Sequence, residues 1–196
     1  YTSSHTLAVD EIKQGSRVLD IGCGPGNFAR ELRKKSCVLT GIDMYEPKDK
    51  EVFENFYLWD EAKDIFVQDL SSYDVVLLLD VIEHFKRPEA FLDSLRRCAR
   101  ARHPKLVVTT GNVAFFTHSR LYTFKTLQKL FLQCGYKIEK IRGIPAPFPK
   151  AIGLNVFSKI LLSINDFLIH VSKGLFSYQI FMVATPTPTV EAILAN

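Results

Sequence analysis

From Val18 the chain reads Val-Leu-Asp20-Ile-Gly22-Cys-Gly24-Pro-Gly26-Asn27. Glycines between a buried strand and a helix let the backbone approach a bound molecule where a Cβ would collide. The spacing is G-x-G-x-G, not the G-x-G-x-x-G that suits a dinucleotide pyrophosphate. Asp20 stands ahead of the loop, where a carboxylate suits an ammonium group better than a phosphate. A second acid, Asp43, closes the next apolar run, where one carboxylate can accept both hydroxyls of a ribose. The combination describes a site for an adenosyl group bearing an amino acid, not for a nucleotide bearing phosphates.

Elements that position these residues follow from the apolar patterning. Short apolar runs alternate with amphipathic stretches, the signature of a parallel sheet covered by helices. The runs 17–21, 37–42, 64–67, 73–79, 105–110 and 136–141 read as strands, with a last one at 178–184. Stretches 27–35, 88–100 and 123–134 read as helices, the second with proline in its first turn and the third between Thr123 and Gly135. Residues 44–63 carry no clear assignment. After the proline-rich turn Gly143 to Pro149, an apolar helix spans 156–173, with Lys159, Ser163, Asp166, His170 and Lys173 as one narrow polar stripe. The expected architecture is α/β: a Rossmann-like doubly wound sheet of about seven strands. It is mostly parallel with an antiparallel last strand, with helices on both faces. Residues 1–196 form a single domain with a helical insertion at 150–174 between the last two strands.

Size and composition narrow the classes further. The chain has 196 residues, 47% of them hydrophobic and 23% charged, values ordinary for one globular domain and far from those of a disordered chain or a membrane bundle. Four scattered cysteines without a C-x-x-C pair argue against a zinc site and for a reducing compartment, so a cytoplasmic location is expected. The net charge of +4 divides unevenly. Residues 1–83 hold nine Lys or Arg against sixteen Asp or Glu, and residues 84–150 hold fourteen against three. That split fits a basic face for an anionic partner, or simply solvated helix surfaces, and the second reading is preferred. Oligomeric state is not legible.

The glycine loop with its two acids resembles the class I S-adenosylmethionine-dependent methyltransferases. The run Asp80-Val-Ile-Glu-His-Phe-Lys-Arg-Pro88 is similar to the stretch after strand four in the type 11/type 23 branch, as are Thr110-Gly-Asn112 and 127–136 to later parts of it. The resemblance implies the cofactor S-adenosylmethionine, with S-adenosylhomocysteine as product. It also implies roles for single residues. Asp20 would orient the methionine ammonium, and Gly22 and Gly24 would pack against the cofactor. Asp43 would grip the ribose, with Met44 against the adenine. Asp69 would bond the adenine amino group and Leu70 would offer a backbone amide. Asp80 and Val81 would line the pocket near the methionine. Two alternatives stay open here: Asp69 as a turn residue and Met44 as core filler.

Methyl transfer is an in-line displacement on an activated carbon, so alignment supplies most of the acceleration, and a hydroxyl acceptor must also lose a proton. His84, following strand four, is the candidate base; the other reading is a helix cap or packing residue. No metal is expected, although Asp80, Glu83 and His84 are spaced like the E-x-x-E-H run of some quinone-biosynthesis relatives. Asn112 and His118 are further candidates at the rim. The strand-four end lacks the Asn/Asp-Pro-Pro-Tyr/Phe of enzymes that methylate nucleobase amino groups, so no nucleic acid partner is expected. An oxygen on a small molecule, lipid or sugar is the expected acceptor, with nitrogen or carbon behind it. A non-catalytic cofactor-binding module and a nicotinamide oxidoreductase are the other classes in play. No run is long enough to span a bilayer. The tail from Gly143 to Ala184 resembles bacterial methyltransferase domains found beside glycosyltransferases, and the short stretch before the first strand suggests a piece of a longer chain. The wide apolar face of the 156–173 helix is expected to act as a lid over an apolar acceptor, with packing on the domain body and docking on a membrane surface as the other readings.

Overall fold

A computed structural model describes residues 3–59, 69–99, 103–112 and 121–189. The elements, in chain order, are α1 (Ser4–Glu11), β1 (Arg17–Ile21), α2 (Asn27–Arg33), β2 (Val38–Asp43), β3 (Asn55–Leu58), β4 (Val75–Leu79), α3 (Pro88–Cys98), β5 (Lys105–Gly111), α4 (Phe124–Gln133), β6 (Tyr136–Ile144), α5 (Phe148–Ile152), α6 (Val156–Val171), α7 (Lys173–Phe176) and β7 (Gln179–Pro186). They form one sheet in the order β3-β2-β1-β4-β5-β7-β6. β3, β2, β1, β4 and β5 run parallel, while β7 lies antiparallel between β5 and β6. The doubly wound sheet with a reversed last strand is therefore as the sequence leads one to expect.

The central strand β4 is apolar on both sides because both of its faces are covered. In β4, Val76 and Leu78 pack with Phe91, Leu92 and Leu95 of α3 and with Leu127 and Phe131 of α4. Val75 and Leu77 enter a second core with Leu7 and Ile12 near α1 and with Phe28 and Leu32 of α2. Alternation along the strand thus feeds two cores, which is why the run carries no polar position. Helix ends follow local chemistry. The Thr123 hydroxyl accepts the Thr126 N–H at the start of α4, and Gly135 takes φ +78° just beyond its end.

Two assignments change. The strand beside β2 is β3, in the stretch without a clear assignment, and 64–67 lies outside the described residues. α1 was not anticipated. Its capping box, Ser3 with Thr6, starts it, and the Glu11 carboxylate at its end binds Lys105 at 3.1 Å and Lys140.

The insertion between β6 and β7 comprises α5, α6 and α7. At its neck Tyr178 donates its N–H to the Ile144 carbonyl at 2.8 Å. The Asn112 side-chain amide donates to the carbonyls of Gly174 at 2.9 Å and Ser177 at 2.8 Å. Asn112 is fully buried, a latch for the insertion where the sequence placed it at a rim.

Candidate active site

The carboxyl ends of β1, β2 and β4 open onto a cavity of about 260 Å³ lined by Ile21, Gly22, Ile42, Asp43, Met44, Trp59, Asp80, Val81, His84, Phe85 and Lys86. Strand ends at the point where strand order reverses are where open α/β sheets take ligands. Of the residues singled out in sequence, Gly22, Asp43, Met44, Asp80, Val81 and His84 meet here.

Gly22 has φ +76°, and a Cβ on it would stand 2.3 Å from Val81 Cγ2, so only glycine fits this crossing. Asp43 fixes the loop from the neighbouring strand: its carboxylate accepts the Gly24 N–H at 2.7 Å and the Tyr45 N–H at 3.1 Å. A carboxylate has about four acceptor sites, so Asp43 retains capacity for a ligand's hydroxyls.

Asp20 is buried on β1 next to the lining residues Ile21 and Gly22. Burial, reinforced by the charge of Asp43, pushes its carboxyl up to about 7. A buried acid in that condition gains most from a cation brought within reach. Burial, with Asp20 and Asp43 nearby, also pushes the Cys23 thiol up to about 12, which makes a thiolate nucleophile in the loop unavailable at neutral pH.

Asp80 has φ +56°, uncommon for a residue with a side chain. The conformation is held from two strands. The Thr109 hydroxyl on β5 donates to Oδ1 at 3.0 Å, and the Gln179 amide nitrogen on β7 reaches Oδ1 at 3.0 Å and Oδ2 at 2.9 Å. Neither Thr109 nor Gln179 was evident as a site residue. The signal for Gln179 was slight: one polar residue opening an otherwise apolar final strand. Trp59, Phe85 and Lys86 were likewise missed. Trp59 is carried to the cavity by its N–H bond to the Asp43 carbonyl at 2.7 Å. It meets Phe85 and Phe91 edge-on at 6.1 and 5.9 Å, while those two stack at 3.9 Å. Trp59 and Phe85 thus give the cavity an aromatic wall, backed by Phe91.

Other expected residues lie elsewhere. Asp69 is outside the cavity lining and closes a turn, accepting the Ser71 N–H at 2.9 Å and the Ser71 hydroxyl at 2.6 Å. Leu70 is fully buried and its N–H goes to the Cys98 carbonyl at 3.0 Å. Gly24 is held by Asp43 at the loop's edge, also outside the lining. Glu83 turns into the core, where burial raises its carboxyl above the usual range. No three His, Cys, Asp or Glu side chains come together as a metal site among the described residues. His118 lies outside the described residues. No residue of α5, α6 or α7 lines the cavity, and Ile160 and Ile164 of the expected lid are half exposed. The neck bonds of Asn112 and Tyr178 tie the insertion to the end of β5 and to β6.

Comparison with known proteins bears on the same region. A family model described as a methyltransferase domain matches residues 2–141. The ubiquinone biosynthesis O-methyltransferase of Vibrio campbellii is 32% identical over 114 residues, 54% of this chain and 45% of that protein. The chain thus spans about half the length of the curated relatives it matches. In fold, a SAM-dependent methyltransferase from Aquifex aeolicus superposes with a TM-score of 0.63 at 14% identity, covering 93% of this chain and 89% of that one. The 1,6-didemethyltoxoflavin-N1-methyltransferase of Burkholderia thailandensis, crystallised with S-adenosylhomocysteine, gives 0.67 at 12% identity, covering 94% and 76%.

Proposed function

The chain belongs to the S-adenosylmethionine-dependent methyltransferase family, and on that premise we propose that it moves the methyl group to a hydroxyl oxygen of a small molecule with an apolar body. The bound cofactor supplies a methyl group already activated on a cationic sulfur. The site fits it: Asp20 is a buried carboxyl beside the cavity lining, suited to the ammonium, and Gly22 leaves a cradle that a Cβ would fill. Asp43 takes the ribose hydroxyls, Met44 lies beside the adenine, and Val81 and Asp80 flank the methionine part.

One observation carries the choice of acceptor. His84 lines the cavity beside Asp80 and next to the aromatic wall of Trp59 and Phe85. An imidazole takes and gives a proton near neutral pH, and a flat apolar body held against the wall brings its hydroxyl to that ring. The oxygen acceptor also agrees with the curated relatives, which are named as O-methyltransferases. A lipid acceptor is a narrower form of the same proposal, and a glycan acceptor would depart from it. No helix among the described residues is long and apolar enough to cross a membrane.

The test pairs methyl-labelled S-adenosylmethionine with a panel of phenols, catechols and prenylated phenols, followed by mass spectrometry of the products. Label on oxygen, lost with His84→Ala while cofactor affinity stays, supports the proposal. Label on nitrogen or carbon alone, or turnover of His84→Ala equal to wild type, refutes it.

A further inference from the structure

Helix α6 carries two apolar faces. Along one, Ser158, Leu161, Leu162, Asn165 and Ile169 are buried or half-buried against the domain, and the Asn165 amide accepts from the Ala146 N–H and donates to the Phe176 carbonyl. Along the other, Phe157, Ile160, Ile164, Phe167 and Val171 recur at steps of three and four, each between 50% and 67% exposed. Lys159, Ser163, Asp166 and His170 fill the remaining side.

With about 150–250 Å² on an aromatic side chain, those exposures leave roughly 500 Å² of apolar surface on the five residues. The largest patch on a typical monomer is about 300–600 Å², so this one face of a single helix already stands at the upper end of that range.

We propose that this face binds the same face of a second copy of the chain, antiparallel across a two-fold axis. The order of the residues selects that occupant. Phe157, Ile160, Ile164 and Phe167 read identically in either direction, so a copy turned end for end sets Phe157 against Phe167 and Ile160 against Ile164. A closed two-fold contact requires such self-complementarity, and helices pair this way when apolar layers recur at steps of three and four. The polar stripe obeys the same reversal: Lys159 falls beside the second copy's Asp166, twice by symmetry. A lipid surface favours a helix with a basic rim, whereas α6 carries one lysine and one aspartate beside this face, and Lys173 beyond its end is turned to the Phe124 ring. The inference does not depend on the reaction catalysed.

Light scattering on size-exclusion fractions from low to high micromolar protein tests it. The wild type should be dimeric at the upper end. Ile160→Glu, which brings two like charges near the axis, should be monomeric with unchanged circular dichroism and S-adenosylhomocysteine affinity. Lys159→Glu and Asp166→Lys should each weaken dimerisation several-fold, and the double exchange should restore it; these variants keep the test intact if Ile160→Glu fails to fold. A wild type monomeric at every concentration overturns the proposal, and sedimentation of that monomer with phosphatidylcholine–phosphatidylglycerol vesicles would give the face to lipid. A dimer indifferent to Ile160→Glu, or a double exchange without recovery, overturns it equally.

Discussion

Cofactor affinity should depend on pH through Asp20. With its carboxyl near 7 in the free protein, Asp20 is about half ionised at pH 7 and about one part in a hundred ionised at pH 5. A ligand ammonium placed against it binds the ionised form, so the dissociation constant for S-adenosylhomocysteine should rise roughly 50-fold from pH 7 to pH 5. Below pH 7 the ligand's own amino group stays protonated, which isolates the protein's contribution. Calorimetry at pH 6 in buffers of different ionisation enthalpy should show close to one proton released per ligand bound, about 0.9. Asp20→Asn should bind more weakly at pH 7, with a flat profile and no proton release. The folded protein itself holds the opposite preference. Because the carboxyl is raised, Asp20 favours the fold fully below its ordinary value near 3.8, and that contribution is lost as pH climbs through about 7. The displacement is worth about 4 kcal/mol once ionisation is complete, so the melting temperature of ligand-free Asp20→Asn should gain on wild type between pH 5 and pH 8. A wild-type affinity flat across that range, or a slope shared by Asp20→Asn, would refute the ammonium assignment.

Asp43→Ala removes the acceptor for the Gly24 and Tyr45 N–H groups as well as for ribose. At about 1.5–3 kcal/mol for each charge-assisted bond, calorimetry should show at least a tenfold loss of cofactor affinity, and unchanged binding would sink the ribose role. Gly22→Ala drives a Cβ into Val81 at a left-handed backbone position; it should abolish S-adenosylhomocysteine binding and lower the melting temperature, whereas Gly24→Ala, with open space around it, should cost less. His84→Ala should slow turnover by about 10²–10⁴ if the acceptor is a hydroxyl, read as kcat at saturating cofactor. Gln179→Leu frees both Asp80 oxygens from their shared donor and should raise the cofactor dissociation constant or KM several-fold, with Gln179→Glu worse because like charges then meet.

The sheet and the glycine loop were legible because their causes are local. A strand buried on both faces must be apolar throughout, as Val75 to Leu79 are, and a left-handed turn under a neighbouring side chain must be glycine, as Gly22 is. Asp43 was legible for the same reason, at the end of such a strand. What escaped depends on partners distant in sequence. Gln179 acts on Asp80 across 99 positions, and nothing near either residue announces the pairing. Asp69 accepts from Ser71 within the Asp-Leu-Ser-Ser turn, a contact its own neighbours favour. In α6 the buried and the exposed apolar residues read, in one dimension, as a single wide face; contacts such as those of Asn165 with Ala146 and Phe176 divide it in two.

That neck has a consequence in chain entropy. Ile144 and Tyr178 are hydrogen-bonded backbone neighbours, and the β6–β7 ladder continues outward from them through Ile144–Gln179 and Gly143–Ile180. The more than thirty residues between enter and leave the fold at one point. Closing a loop there costs only slowly more as it lengthens, so the sheet tolerates an excursion of almost any size. Its deletion, with a two-residue turn in its place, should leave the strands of the sheet in register while costing the Asn112 amide its two carbonyl partners.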